Sequence, residues 1–142
     1  MANVIPFAFR GELFTGTHNF SSSGDDFKLA LYTATPYDTS STVYSATDEQ
    51  TSAGGTNYTA TGNDLGSNAV VSTTAVASCD FADSIWTSAT ITAAFGAIYN
   101  DDQGDKLCVV LDFGGSKSCT NGTFTVSFPS PATASNAIIS MA

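Results

Sequence analysis

The sequence predicts an all-β fold, a single-domain jelly-roll-like β-sandwich of about eight antiparallel strands led by a short N-terminal helical or extended segment. Three observations carry this. Apolar residues recur every second position in several runs, most cleanly in GTFTVSF, where Phe124, Val126 and Phe128 alternate with Thr123, Thr125 and Ser127. Those runs are separated by clusters of turn formers such as NDDQGD and GGSKSCTNG. Only 12% of residues are charged while 18 Ser and 20 Thr fill the polar share, and threonine is at home on a pleated face. The chain divides into residues 1–20, an N-terminal docking segment, and 21–142, the sandwich domain. A length of 142 residues with 42% hydrophobic content suits one core.

In the N-terminal segment Ile5, Phe9 and Leu13 recur at a spacing of four, with Pro6 placed to open a helix and Gly16 to close it. This predicts a short helix over 7–15. Phe7 and Phe14 put apolar surface on its other sides, which means either a contact with another chain or packing over an open end of the sandwich. Ile5, Phe7, Phe9, Arg10 and Phe14 are the candidate contact residues, with Arg10 as the ion-pair donor. SSSGDD is a turn. FKLALYTAT (27–35) is a strand, with Phe27, Leu29 and Leu31 on one face and Lys28, Ala30 and Tyr32 on the other.

The stretch 36–66 is polar, with short strands expected near 43–45 and 57–61. The rest is loop, long enough to mark an oligomer or partner contact, and easier to place in a jelly roll than in an up-and-down barrel. NAVVSTTAVA (68–77) is a further β run, followed by CDF (79–81). Residues 89–99 form a strand with Ala89, Ile91, Ala93, Phe95, Ala97 and Tyr99 on one face, half-exposed at first and then buried. Gly104 serves the NDDQGD turn with a positive φ. Residues 106–113 place Leu107, Val109, Leu111 and Phe113 together. GGSKSCTNG then breaks the chain before the strand 123–128, so that three adjacent antiparallel strands are joined by tight connections. NAIISM (136–141) is the last strand.

The function classes narrow by subtraction. A net charge of −9, with Arg10, Lys28, Lys106 and Lys117 the only cations, gives no basic patch for nucleic acid or for an anionic membrane. A basic or neutral protein surface is the electrostatically acceptable partner. No apolar run is long enough to span a membrane, and MANVIPFAFRGEL lacks the basic and long apolar regions of a secretory signal. Cys79, Cys108 and Cys119 are odd in number and lack metal spacing; a Cys108–Cys119 bridge is imaginable, but reduced thiols fit better.

No chemistry suggests an enzyme, a cofactor or a metal. His18 is the only histidine and no nucleophile elbow exists, so a structural or surface role is expected for it. NDDQGD and GDD offer oxygen ligands to calcium but lack an EF-hand's pattern, and solvated acidic turns explain them. Asp80 and Asp83 read as turn caps before Trp86, not as a glycosidase pair. Trp86 with Phe81 and Tyr99 would make a sugar-stacking platform if exposed, although a sole Trp in the most apolar stretch belongs to the core.

The segments ELFTGTHNF, FKLALYTAT, NYTATGNDL, DFADSIWTSATITAAFGAIYN and LDFGGSKSCTNGTFTVSFP resemble a family of small virion proteins of tailed bacteriophages, the capsid cement, decoration or head-stabilising proteins. The resemblance spans nearly the whole chain and contains no catalytic motif. It implies a structural virion protein on the outer capsid surface, bound to the major capsid protein and to itself as a homodimer or homotrimer. It carries over no functional residues. The alternative is a phage tail or fibre component, or a carbohydrate-binding β-sandwich on the virion.

Overall fold

The computed structural model describes residues 2–73, 75–129 and 137–141 and is mostly β, with one short helix. Helix α1 (Phe7–Phe14) follows Pro6 and ends before Gly16, whose φ is +69°, as the spacing predicts. Seven strands form two antiparallel sheets among the described residues. The first holds β1 (Phe27–Tyr32), β2 (Asn63–Leu65), β5 (Ser84–Asn100) and β6 (Lys106–Val126) in the order β2-β1-β5-β6. The second holds β3 (Ala69–Ser72), β4 (Ala77–Asp80) and β7 (Ile139–Met141) in the order β3-β4-β7.

The spine of the molecule is one hairpin. β5 and β6, 17 and 21 residues long, pair along almost their whole length. The turn between them has Gly104 at φ +72° and is tied by Gln103 N donating to Asn100 Oδ1 at 3.2 Å. GGSKSCTNG therefore does not end a strand. Gly114 and Gly115 take positive φ inside an irregularity where the register passes from Phe95↔Asp112 to Ala93↔Lys117. A second irregularity holds Asn121, at φ +47°, where Ala89 pairs with Gly122 and Ile91 with Cys119. Glycine serves equally in a turn and in a bulge, and the sequence does not distinguish them.

The bulges also correct the predicted faces, because one extra residue moves every following side chain to the other side. Ala89, Ile91 and Ala93 lie in the main core, but past the bulge at Ala94 the residues Phe95, Ala97 and Tyr99 join a second cluster on the opposite face. The shift between Ile98↔Val109 and Tyr99↔Leu107 likewise separates Leu107 from Val109 and Leu111.

The main core draws Phe27, Leu29 and Leu31 from β1, Ile91 and Ile98 from β5, Val109 and Leu111 from β6, Cys79 and Ile139 from the second sheet, and Phe9 and Phe20 from the N-terminal segment. The opposite face of the first sheet gathers Ala30, Tyr32, Ala97, Tyr99, Leu107 and Val110, and the 36–50 stretch covers it with Tyr37 and Tyr44. This stretch is part of the 36–66 loop expected to mark an oligomer or partner contact; its tyrosines seal a core on the inner side. Tyr32 donates to Ser45 O at 2.8 Å, while Glu49 accepts from Tyr44, from Tyr58 at 2.7 Å and from Thr61 N at 2.7 Å. Three donors converging on one carboxylate tie loop residues that lack a ladder.

Other boundaries move. β1 stops at Tyr32, and neither 43–45 nor 57–61 is a strand; Val43 makes only an isolated bridge to Lys106. The run 68–77 is the hairpin of β3 and β4, closed by Thr73 N donating to Val76 O at 2.8 Å. The strand expected at 89–99 begins at Ser84 and contains Trp86. The last strand keeps only Ile139–Met141, and position 136 lies outside the described residues.

Candidate functional site

Two faces of α1 do different work. The inward face carries Phe9 and Leu13 to the core, and Ile5, just ahead of the helix, joins them as the spacing of four predicts, with Phe9 0% exposed and Ile5 and Leu13 partly buried. Phe9 lies against His18 at 5.0 Å and edge-on to Phe20 at 6.1 Å between ring centroids. Phe9 was a candidate partner contact and is a core residue; it reaches no partner while the helix is seated. Just ahead of the helix, Val4 exchanges backbone hydrogen bonds with Val110 at 2.9 and 2.8 Å, and Asp112 N donates to Asn3 Oδ1 at 2.8 Å. The segment 1–20 is thereby joined to the domain by both packing and pairing.

A polar chain completes the attachment. Lys106 Nζ donates to Glu12 Oε1 at 2.6 Å, and His18 Nε2 sits 2.8 Å from Glu12 Oε2. Asn100 Nδ2 donates to Asp25 Oδ2 at 2.7 Å and Asn100 Oδ1 accepts from Gln103 N, so the amide orientation is fixed. The same Nδ2 donates to His18 Nδ1 at 2.9 Å. Nδ1 is therefore the acceptor, and Nε2 carries the hydrogen that goes to Glu12. Burial alone would push the Glu12 carboxyl up; hydrogen bonds from Lys106 and His18 outweigh it and hold the group below the ordinary carboxylate range. Asp25 is lowered in the same way, burial opposing and the bonds from Asn100, Asn19 N and Gln103 prevailing.

This chain brings Cys108, His18 and Asn100 together, with Cys108 Sγ 4.0 Å from His18 Nδ1. The trio resembles a thiol–imidazole–amide arrangement in composition only. Cys108 and Asn100 are both 0% exposed, and burial pushes the Cys108 thiol well up, so neither substrate access nor a thiolate is provided. Cys79 is also buried, its thiol pushed up to about 12 by desolvation and then by Asp80. All three cysteines are free.

The outward face of α1 carries Phe7 at 61% exposure, Arg10, Gly11 and Phe14 at 92% exposure. The Arg10 guanidinium lies 5.3 Å over the Phe7 ring and donates to Ile5 O at 3.2 Å. Of the five predicted contact residues, Phe7, Arg10 and Phe14 thus form one exposed stripe, Ile5 is half-buried beside it, and Phe9 is behind it. The missed element is the anchor: Glu12, His18, Asn100 and Lys106 are far apart in sequence, and no local spacing joins them.

The remaining clusters are structural. Trp86, 4% exposed, stacks near Tyr58 and meets Phe124 edge-on, while Phe81 and Tyr99 are buried in separate clusters, so the sugar-stacking platform does not exist. Asp83 and Asp80 were expected to cap the local turn before Trp86; instead Asp83 accepts across the hairpin from Phe128 N at 2.9 Å, and Asp80 ends β4. In the acidic turns Asp102 accepts from Asp26 N at 2.8 Å and Lys28 lies 3.3 Å from Asp101. No group of three or more His, Cys, Asp or Glu is placed to hold a metal ion among the described residues. An open groove of about 560 Å³ runs beside β6, with Leu111, Phe113, Phe124 and Phe128 among its walls. A smaller apolar recess lies between Leu13, Phe20 and the second sheet. No helix among the described residues is long and apolar enough to cross a membrane. No family model, no curated protein and no solved structure matches the chain.

Proposed function

We propose that this chain is a structural virion protein, a cement or decoration protein that docks on the outer surface of an assembled phage head and stabilises contacts between major capsid subunits. The observation that carries this reading is the outward stripe of α1: two exposed phenylalanines flanking Arg10, on a helix seated by Phe9 and the Glu12–His18–Lys106 chain. Aromatic and arginine side chains dominate the energetics of protein contacts, and rigid presentation lowers the ordering cost of binding. A surface rich in hydroxyls desolvates at lower cost than one rich in charge. Within this reading the two sheets are the layers of a jelly-roll-like sandwich, and the working unit is a homodimer or homotrimer. Several weak contacts held on one particle then add by effective concentration, and binding only the assembled shell shifts its equilibrium away from dissociation.

The test is to mix purified protein with heads that lack it. Co-sedimentation and a higher temperature of head disruption are expected. Failure to sediment, or an unchanged disruption temperature, rejects the proposal. A tail or fibre role predicts binding to tails in the same assay, and burial of Trp86 removes the platform on which a glycan-binding role was built.

A further inference from the structure

We propose that the outward stripe of α1 is built around a notch at Gly11 and takes a protein surface that presents a carboxylate between two apolar recesses; this rests on the docking role proposed above. Gly11 lies inside the helix, where glycine is unfavourable relative to alanine. The fold does not call for it: its φ is not left-handed, and a Cβ there would meet nothing within 4 Å. Gly62 differs, since a Cβ there would collide with Leu29 O. Residues 7, 10, 11 and 14 share one helix face, so the missing side chain lies between the two phenylalanines. These stand two turns apart, roughly 10 Å along the axis. A notch there lets a partner's backbone approach between the rings.

The charge of the face is opposite to that of the chain. Among the described residues Arg10 makes no ion pair, whereas Lys28 and Lys106 both do. The one acid of the helix, Glu12, is turned inward and committed to His18 and Lys106. In a chain of net charge −9 the stripe is thus a local cation on an acidic body. Complementarity selects a single carboxylate opposite Arg10, whose fork suits bidentate pairing, on an otherwise neutral or basic surface, and the acidic remainder of the chain disfavours bringing any other face onto that carboxylate.

Sedimentation isotherms on heads lacking this chain test the inference. Arg10→Glu and Phe14→Ala are each expected to weaken binding about tenfold or more, and Arg10→Lys less. Lys117→Glu makes the same charge change at another exposed position and is expected to bind as wild type. Gly11→Ala is expected to weaken binding about tenfold while raising the melting temperature of the free protein by roughly 2–4 °C. If wild type binds and Gly11→Ala and Arg10→Glu bind equally well, the stripe is not the site and only the decoration role survives. A lower melting temperature for Gly11→Ala overturns the notch, because the fold then needs the glycine. If wild type itself does not bind, both proposals fall.

Discussion

Phe9 and Phe14 are the same residue five positions apart on one helix, and truncating each to alanine separates its two faces. Phe9 is 0% exposed and touches His18, Phe20 and the main core, so Phe9→Ala removes a fully buried ring and leaves a cavity. The expected cost is about 4 kcal/mol, within the usual range for such truncations. For a domain of this size each kcal/mol moves the melting temperature by about 2–4 °C, so a fall of roughly 8–16 °C is expected. Phe14 is 92% exposed, and Phe14→Ala should stay within about 0.5 kcal/mol of wild type. Urea and thermal unfolding followed by circular dichroism measure both. Removing residues 1–15 adds to the loss of Phe9 the Val4–Val110 pairing and both bonds to Glu12, and should leave no cooperative transition near the wild-type midpoint. A Phe9→Ala shift below about 1 kcal/mol, or a truncated chain that melts like wild type, would refute the seating of the helix.

Three further outcomes follow from the same contacts. The Trp86 Nε1–H has no hydrogen-bond partner among the described residues, so Trp86→Phe should cost less than about 1.5 kcal/mol in urea unfolding, whereas Trp86→Ala should cost about 3–5 kcal/mol; equal costs would mean the indole nitrogen matters. Gly62 has φ +83° and no room for a Cβ against Leu29 O, so Gly62→Ala should destabilise by well over the ~1 kcal/mol typical of point changes, and a neutral result would place the 59–62 turn elsewhere. Glu12 and Asp25 are held below their ordinary values of 4.5 and 3.8, so they bind protons more readily unfolded than folded. Their contribution is complete above those ordinary values and is lost as pH falls through the lowered ones; unfolding free energy measured from pH 7 to pH 3 should decline there, and less steeply in Glu12→Gln.

What the sequence made legible was local. The spacing of Ile5, Phe9 and Leu13 located the helix, the alternation in FKLALY located β1 and both of its faces, and Gly104 located the central turn. The continuity of β6 through Gly114 and Gly115 was not legible, because a pair of glycines reads as a break whether the ladder stops or bulges. The faces of β5 beyond Ala93 failed for the same reason: one uncounted residue reverses a period of two. The 36–50 stretch failed differently. Its core consists of tyrosine rings whose hydroxyls are satisfied by Glu49 and backbone carbonyls, and tyrosines scattered among Ser and Thr carry no periodic signal. At the candidate site the sequence named Ile5, Phe7, Phe9, Arg10 and Phe14 together and did not separate those that face out from those that face in.

That last gap has a specific cause. Both faces of α1 are apolar, so hydrophobicity alone leaves its rotation about the axis undecided. The polar chain decides it. Turning the stripe inward would bury Arg10 and withdraw Glu12 from Lys106 and His18, leaving the buried His18 Nε2–H unpaired. Each such orphan costs about 1–3 kcal/mol, more than a swap of one phenylalanine for another returns. Glu12, His18 and Lys106 therefore act as an index that fixes which aromatics are core and which are surface. Because the index also holds the helix still, Phe7, Arg10 and Phe14 would enter the proposed contact already placed. Loosening it by Glu12→Gln should weaken docking even though Glu12 itself never reaches the partner.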